Sequence, residues 1–307
     1  MRNPAFRIGI DLGGTKIEAI ALGASGIILA RRRVATPSGN YELTVKAIVA
    51  LVSAIEKELG ASGSVGIGTP GAISPATGLI KNANSTVLIG HALDKDLSSA
   101  LDREVRISND ANCFALSEAV DGAGAGAMIV FGVIIGTGTG GGIVVRGAIL
   151  TGLNGIAGEW GHNQIQWPRQ EELPGPQCYC GKKGCLETFL SGPGLSRDFR
   201  DATGVHLEPP DIVRLAEAND EAAETCLSRY EDRLARGLAH VINILDPEVI
   251  VLGGGMSNIN RLYQHVPRLW DQYVFSDRVD TKLVRPIHGD SSGARGAAWL
   301  CPLDPHS

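Results

Sequence analysis

The sequence predicts an α/β protein of two domains, and three observations carry that prediction. An apolar strand, a glycine turn and a second strand open the chain in "FRIGIDLGGTKIEAIAL", and the same pattern returns in "MIVFGVIIGTGTGGGIVV". Helical segments follow each copy. The 307 residues, 44% of them hydrophobic, suffice for two moderate cores. Gly122, Gly124 and Gly126 stand between the copies as candidate hinge residues.

Taken in order, the opening stretch reads as two or three antiparallel strands turning at Gly13 to Lys16. Asn40 can cap a helix that places Leu43, Ala47, Ile48, Leu51, Ile55 and Leu59 on one face and stops at Gly60. "SVGIGTPGAI" returns to a strand and turn, and a short helix covers roughly Asp94 to Leu101. "VRISNDANCFALSEAV" gives a strand, a polar break at Asn109-Asp110 and a helix. A helical stretch from Asp211 to Ile244 precedes the buried strand of "VIVLGGGMS", and "GDSSGARGAAWL" closes as a loop and helix.

The formal net charge is −5, and no basic run exceeds Arg31 to Arg33. A nucleic-acid partner is therefore not expected, nor a membrane-surface helix. The N-terminus shows no signal-type apolar region and no stretch approaches the length of a bilayer span, so a cytoplasmic protein is expected. In that reducing compartment the six cysteines are not presumed to be disulfides.

Three glycine turns offer bare backbone to an anion: Gly13-Gly14-Thr15 with Lys16 beside it, Gly136-Thr137-Gly138-Thr139-Gly140, and Gly253-Gly254-Gly255. Any one of them could be an ordinary strand turn; the three together point to a nucleotide. No G-x-x-x-x-G-K-[ST] occurs. Gly136, Gly138 and Gly141 satisfy G-x-G-x-x-G, but the segment after them reads as a strand where a dinucleotide turn would open a helix. Hairpin turns that carry phosphate, duplicated across two domains, are instead the device of actin-like (ribonuclease H-like) and hexokinase-type ATPases. The expected fold is thus two such domains around a central cleft, binding ATP. Asp11 stands where a carboxylate can organise the water shell of Mg2+ on the phosphates, or merely bond the turn backbone.

Cys178, Cys180 and Cys185 fall within eight positions, with glycines between them and His162 upstream. This spacing predicts a Cys3His hook for a structural Zn2+; three free thiols are the plainer alternative.

The motifs "IGIDLGGTK", "GIGTPGAI", "KNANST", "NDANCFALSEA", "IIGTGTGGGI", "GEWGHN", "CYCGKKGCLETF" and "VIVLGGGMS" occur in series nearly end to end. In them the chain resembles the ROK-family sugar kinases, and among these the bacterial fructokinases with mannokinase activity. The resemblance implies an ATP-dependent hexose kinase, with fructose as the expected substrate. Mannose, glucose and N-acetylhexosamines are the alternatives within kinases. It also implies a homodimer, a first domain of residues 1–120, a second of 121–307, and a C-terminal segment able to pack back on the first. The family includes sugar-responsive regulators, a reading disfavoured by the lack of a helix-turn-helix before Phe6 and by the full set of phosphate turns.

Phosphoryl transfer needs a base at the acceptor hydroxyl, and Asp110 is the candidate; by pattern alone it could equally be a helix cap. By resemblance, Asn109 and Asp110 grip the reacting end of the sugar. Gly71, Asn84, Glu159, His162 and Glu187 contact the rest, the carboxylates taking hydroxyl pairs. A zinc-held His162 would offer its other nitrogen to a sugar hydroxyl.

Overall fold

The computed structural model describes residues 6–83 and 85–301. The opening strands form as the alternation requires: β1 (Arg7–Leu12), β2 (Lys16–Leu22) and β3 (Ile28–Ala35) pair antiparallel, with a register shift at Ala21/Leu22. The helix α1 (Tyr41–Leu59) starts where Asn40 Oδ1 accepts the Leu43 N–H at 2.9 Å and stops at Gly60, whose φ of 67° a side chain would strain. β4 (Ser64–Thr69) then runs parallel to β1. A small hairpin, β5 (Ala72–Ile73) with β6 (Ile80–Lys81), leads to α2 (Leu93–Leu101), β7 (Val105–Asn109) and α3 (Asp110–Val120). The sheet order is β3-β2-β1-β4-β7.

The second copy of the motif supplies β8 (Ile129–Ile135), β9 (Thr139–Val145) and β10 (Ala148–Ile149). The helices α4 (Leu186–Leu190), α5 (Gly192–Thr203), α6 (Pro209–Glu217) and α7 (Glu221–Leu245) follow, then β11 (Val249–Gly253), α8 (Leu262–Trp270), β12 (Lys282–Val284) and α9 (Ser292–Trp299). This sheet has the order β10-β9-β8-β11-β12, with β11 parallel to β8 and β12. The helical stretch expected from Asp211 to Ile244 consists of two helices. Asn219 takes a left-handed φ of 63°, and the Asp220 side chain caps α7 on the Ala223 N–H at 2.9 Å.

Contacts group residues 1–126, 142–157 and 287–307 in a first unit and 127–141 and 158–286 in a second, so the C-terminal segment groups with the N-terminal part of the chain. The physical reason lies in α9, which packs on β1, β4 and α3. Three glycines permit that approach: a Cβ on Gly9 would stand 1.9 Å from the Ala294 carbonyl oxygen, one on Gly66 1.9 Å from that of Ala297, and one on Gly296 1.6 Å from that of Cys113. The other face of this sheet is buried by α1 through Ile48, Val52 and Ile55 against Ile8, Ile10 and Ile67. Glu118, fully buried, accepts from Ala123 N, Ile287 N and Ser292 Oγ, tying the glycine segment after α3 to the returning C-terminal chain. No helix among the described residues is long and apolar enough to cross a membrane.

Candidate functional site

In the first unit the candidate residues gather at the C-terminal ends of β1, β4 and β7. The turn Gly13 to Thr15 closes through Gly13 N–H to the Lys16 carbonyl, and Thr36 braces it by Oγ1 to the Gly13 carbonyl at 2.7 Å. Asp11, on β1 just before the turn, has its carboxyl pushed up to about 6 by burial, then by the charges of Asp110 and Glu18. Asp11 and Asp110 are thus electrostatic neighbours. Gly293 of α9 makes room there, since a Cβ would lie 3.1 Å from the Asp11 carboxyl. Asn109 Oδ1 and Asp110 Oδ1 both accept the Ala111 N–H at 2.8 Å, so the capping alternative is realised by both residues. Asn109 Nδ2 also donates to the Gly71 carbonyl at 3.2 Å, joining Gly71 to this group; Gly71 itself needs φ 80°. Asn84 lies outside the described residues.

In the second unit the other two turns adjoin. A Cβ on Gly254 would stand 2.3 Å from the Ile135 carbonyl oxygen, and one on Gly136 4.0 Å from Gly255 N. Gly136, Thr137 and Gly255 open onto a cavity of about 630 Å³ walled by Pro209, Val213, Met256 and Ile259. That apolar wall escaped the sequence reading, because α6 and the turn after β11 are far apart in the chain and each looks ordinary alone.

The cysteine hook is assembled by two isolated bridges, Gln164 with Cys185 and Gln177 with Lys183. His162 Nδ1 lies 3.6 Å from Cys178 Sγ, Cys180 Sγ lies 3.6 Å from Cys185 Sγ, and the four ligand atoms sit within 4.8 Å of one another. Tetrahedral zinc with the usual bond lengths sets neighbouring ligand atoms roughly 3.5–3.8 Å apart, so the set fits such an ion. Burial pushes the Cys178 thiol up and that of Cys185 up to about 12. The Cys180 thiol is instead lowered, first by the hydrogen bond from the Lys182 backbone, and a bound cation would favour all three thiolates.

His162 and Glu159 share a 3₁₀ turn, Trp160–His162 and the residue before it, which Trp160 pins by donating Nε1–H to the Gly140 carbonyl at 3.0 Å. Glu159 is exposed. Glu187, in α4, stands two residues after Cys185, and its Oε2 accepts the Thr139 N–H at 3.0 Å. Tyr179, which the sequence reading passed over, meets His162 Nε2 with its hydroxyl at 3.0 Å. Its phenol is pushed up to about 12 by burial and then by the Glu187 charge.

Also unforeseen is a buried ionic anchor behind the hook. Glu172 accepts from Arg233 at 2.9 Å and from both ends of the Arg236 guanidinium at 2.7 and 2.8 Å. Arg236 donates besides to the carbonyls of Gln166 and Trp167, so α7 holds the segment leading into the hook. The only sequence signal was Arg233 and Arg236 falling three apart on a helix face.

With two mixed sheets and glycine hairpin turns, the architecture defines a class of protein, the actin-like hexokinase fold. Residues 7–303 match the ROK family, and the chain belongs to it. It is 40% identical to an N-acetyl-D-glucosamine kinase of Photobacterium profundum, over 95% of this chain and 98% of the relative. A ROK hexokinase from Thermus thermophilus superposes with TM-score 0.86 at 32% identity, covering 96% of this chain and 97% of the other. A ROK-family glucokinase from Streptomyces griseus, solved with glucose and AMPPNP, gives TM-score 0.77 at 29% identity, covering 96% and 99%.

Proposed function

We propose that this protein is an ATP-dependent sugar kinase that phosphorylates the 6-hydroxyl of N-acetyl-D-glucosamine. The observation that carries the substrate is the near full-length identity to an N-acetyl-D-glucosamine kinase, which displaces fructose from the leading place that the motif resemblance gave it. Asp110 is the base: it takes the proton of the acceptor hydroxyl as that oxygen bonds to the γ-phosphorus and ADP leaves. Asn109 and Asp110 hold the reacting end of the sugar, while Gly71, Asn84, Glu159, His162 and Glu187 contact the rest, a sugar hydroxyl replacing the Tyr179 phenol at His162 Nε2. The turns at Gly13, Gly136 and Gly253 receive the phosphates and the nucleoside, whose base suits the apolar wall of Met256 and Ile259. Lys16 and Thr15 add donors to the phosphates. Mg2+ on the nucleotide would neutralise phosphate charge, with Asp11 ordering its water shell. Zn2+ in the Cys3His hook would fix the sugar wall. A homodimer belongs to the same reading, and sedimentation as a monomer would count against it.

The test is sugar-dependent ADP release with N-acetylglucosamine, glucose, mannose and fructose. The highest kcat/KM is expected on N-acetylglucosamine. A preference for fructose, or no sugar-dependent release at all, would refute the assignment.

A further inference from the structure

Glu187 stands between two tasks. Its Oε2 holds the Thr139 N–H at 3.0 Å, at the end of the second phosphate turn, and its Oε1 accepts no hydrogen bond among the described residues. The turn leans on the carboxylate closely: a Cβ on Gly138 would come within 2.7 Å of Oε2. Its other end is tied to the same stretch of chain, since Gly192 N–H donates to the Gly136 carbonyl at 2.8 Å. Between these anchors runs α4, which begins just after Cys185. The short segment from Glu187 in α4 to Gly192 at the start of α5, which follows directly on the cysteine hook, therefore sets both ends of the Gly136–Thr139 turn.

We propose that Glu187 is a positioning residue for the nucleotide phosphates as well as a sugar contact, and that through it bound sugar tightens nucleotide binding. The inference rests on the sugar-kinase reading above. A sugar hydroxyl donating to Oε1 freezes the carboxylate, a long side chain with much rotamer freedom to lose. The Thr139 N–H is then held at a fixed point, and the turn meets the phosphates already ordered. The ordering cost is met once for two ligands, which is positive coupling, and by linkage it acts equally in both directions.

The experiment is calorimetric titration of the zinc-loaded protein with Mg2+ and a non-hydrolysable ATP analogue, with and without N-acetylglucosamine. In wild type the sugar should tighten the analogue about fivefold. Without sugar, Glu187→Gln, whose amide oxygen still accepts from Thr139, should bind the analogue like wild type, and Glu187→Ala about fivefold more weakly. Equal sugar-free affinity in Glu187→Ala and wild type would overturn the proposal. So would the absence of any sugar effect in wild type. Should Glu187→Ala lose zinc or unfold, Gly138→Ala serves instead: its methyl group displaces the carboxylate, and the sugar KM should rise about fivefold although residue 138 is assigned no sugar contact. An unchanged sugar KM there would also overturn it. A wild type that binds no nucleotide would fail the sugar-kinase reading itself, a result distinct from all of these.

Discussion

Tyr179 Oη lies 3.0 Å from His162 Nε2, with the two rings edge to face at 87° and their centroids 5.2 Å apart. Since Nδ1 faces Cys178, a metal bound there leaves the proton on Nε2, which then donates to the phenol oxygen. Tyr179→Phe should keep about one zinc per chain but weaken its hold about tenfold in competition with a chelator. Cys180→Ser should lose the metal outright, as mass spectrometry would show. A native protein without metal would remove the zinc assignment.

Asp110→Asn separates chemistry from folding. The amide oxygen can still accept the Ala111 N–H, so α3 keeps its start. Turnover should nevertheless fall by about 10²–10⁴, the usual loss of a general base, with sugar affinity little changed. Undiminished kcat would exclude Asp110 as the base.

Asp11 makes both binding and stability depend on pH. Its native pKa of about 6 lies above the ordinary 3.8, so the folded state holds the proton more tightly than the unfolded chain. Stability from this group is therefore fully present below 3.8 and lost as pH rises through 6. Asp11→Asn should be the more stable protein at pH 7 by up to about 3 kcal/mol, with no advantage near pH 3.5. In wild type, Mg2+-nucleotide affinity should drop as pH falls below about 6, where the carboxylate takes up its proton.

Glu172 behaves in the opposite sense. Burial alone would raise it, but the hydrogen bonds from Arg236, the Arg169 backbone and Arg233 outweigh burial and hold it down to about 2. Its contribution is present above 4.5 and lost as pH falls toward 2. Glu172→Gln should cost about 3 kcal/mol at pH 7 in denaturant unfolding, a difference that fades near pH 2.

Gly296→Ala tests the docking of α9. Its methyl carbon would overlap the Cys113 carbonyl oxygen, a backbone atom that cannot swing aside. A loss of about 3 kcal/mol in unfolding free energy is expected. A neutral substitution would contradict the close packing of α9 on α3.

The parts of the site that were legible in the sequence are those whose chemistry is local. Cys178, Cys180 and Cys185 announce a candidate metal hook because eight residues contain most of the possible ligand set. Asn109-Asp110 announces itself as a polar break between an apolar strand and a helix. The partners that hold these groups were hidden by sequence distance: Thr139 and Glu187 are 48 residues apart, Glu172 and Arg236 64. Thr139 and Glu187 each stood out in a linear reading but not as partners, while Glu172 and Arg236 look like ordinary charged residues. Tyr179 was overlooked although it stands inside the hook, because an exposed tyrosine between two cysteines carries no pattern of its own.

By itself the sequence determined the two-fold repetition of hairpin and helices, the glycine turns and the hook, because strand period, turn conformation and ligand spacing are short-range properties of the chain. Tertiary structure alone decided which surfaces of β1, β4 and α3 the C-terminal helix α9 meets, that α7 grips the approach to the hook, and that Glu187 spans from the hook to a glycine turn. Those contacts depend on which surfaces meet after collapse, and burial and long-range hydrogen bonding leave no periodic mark along the chain.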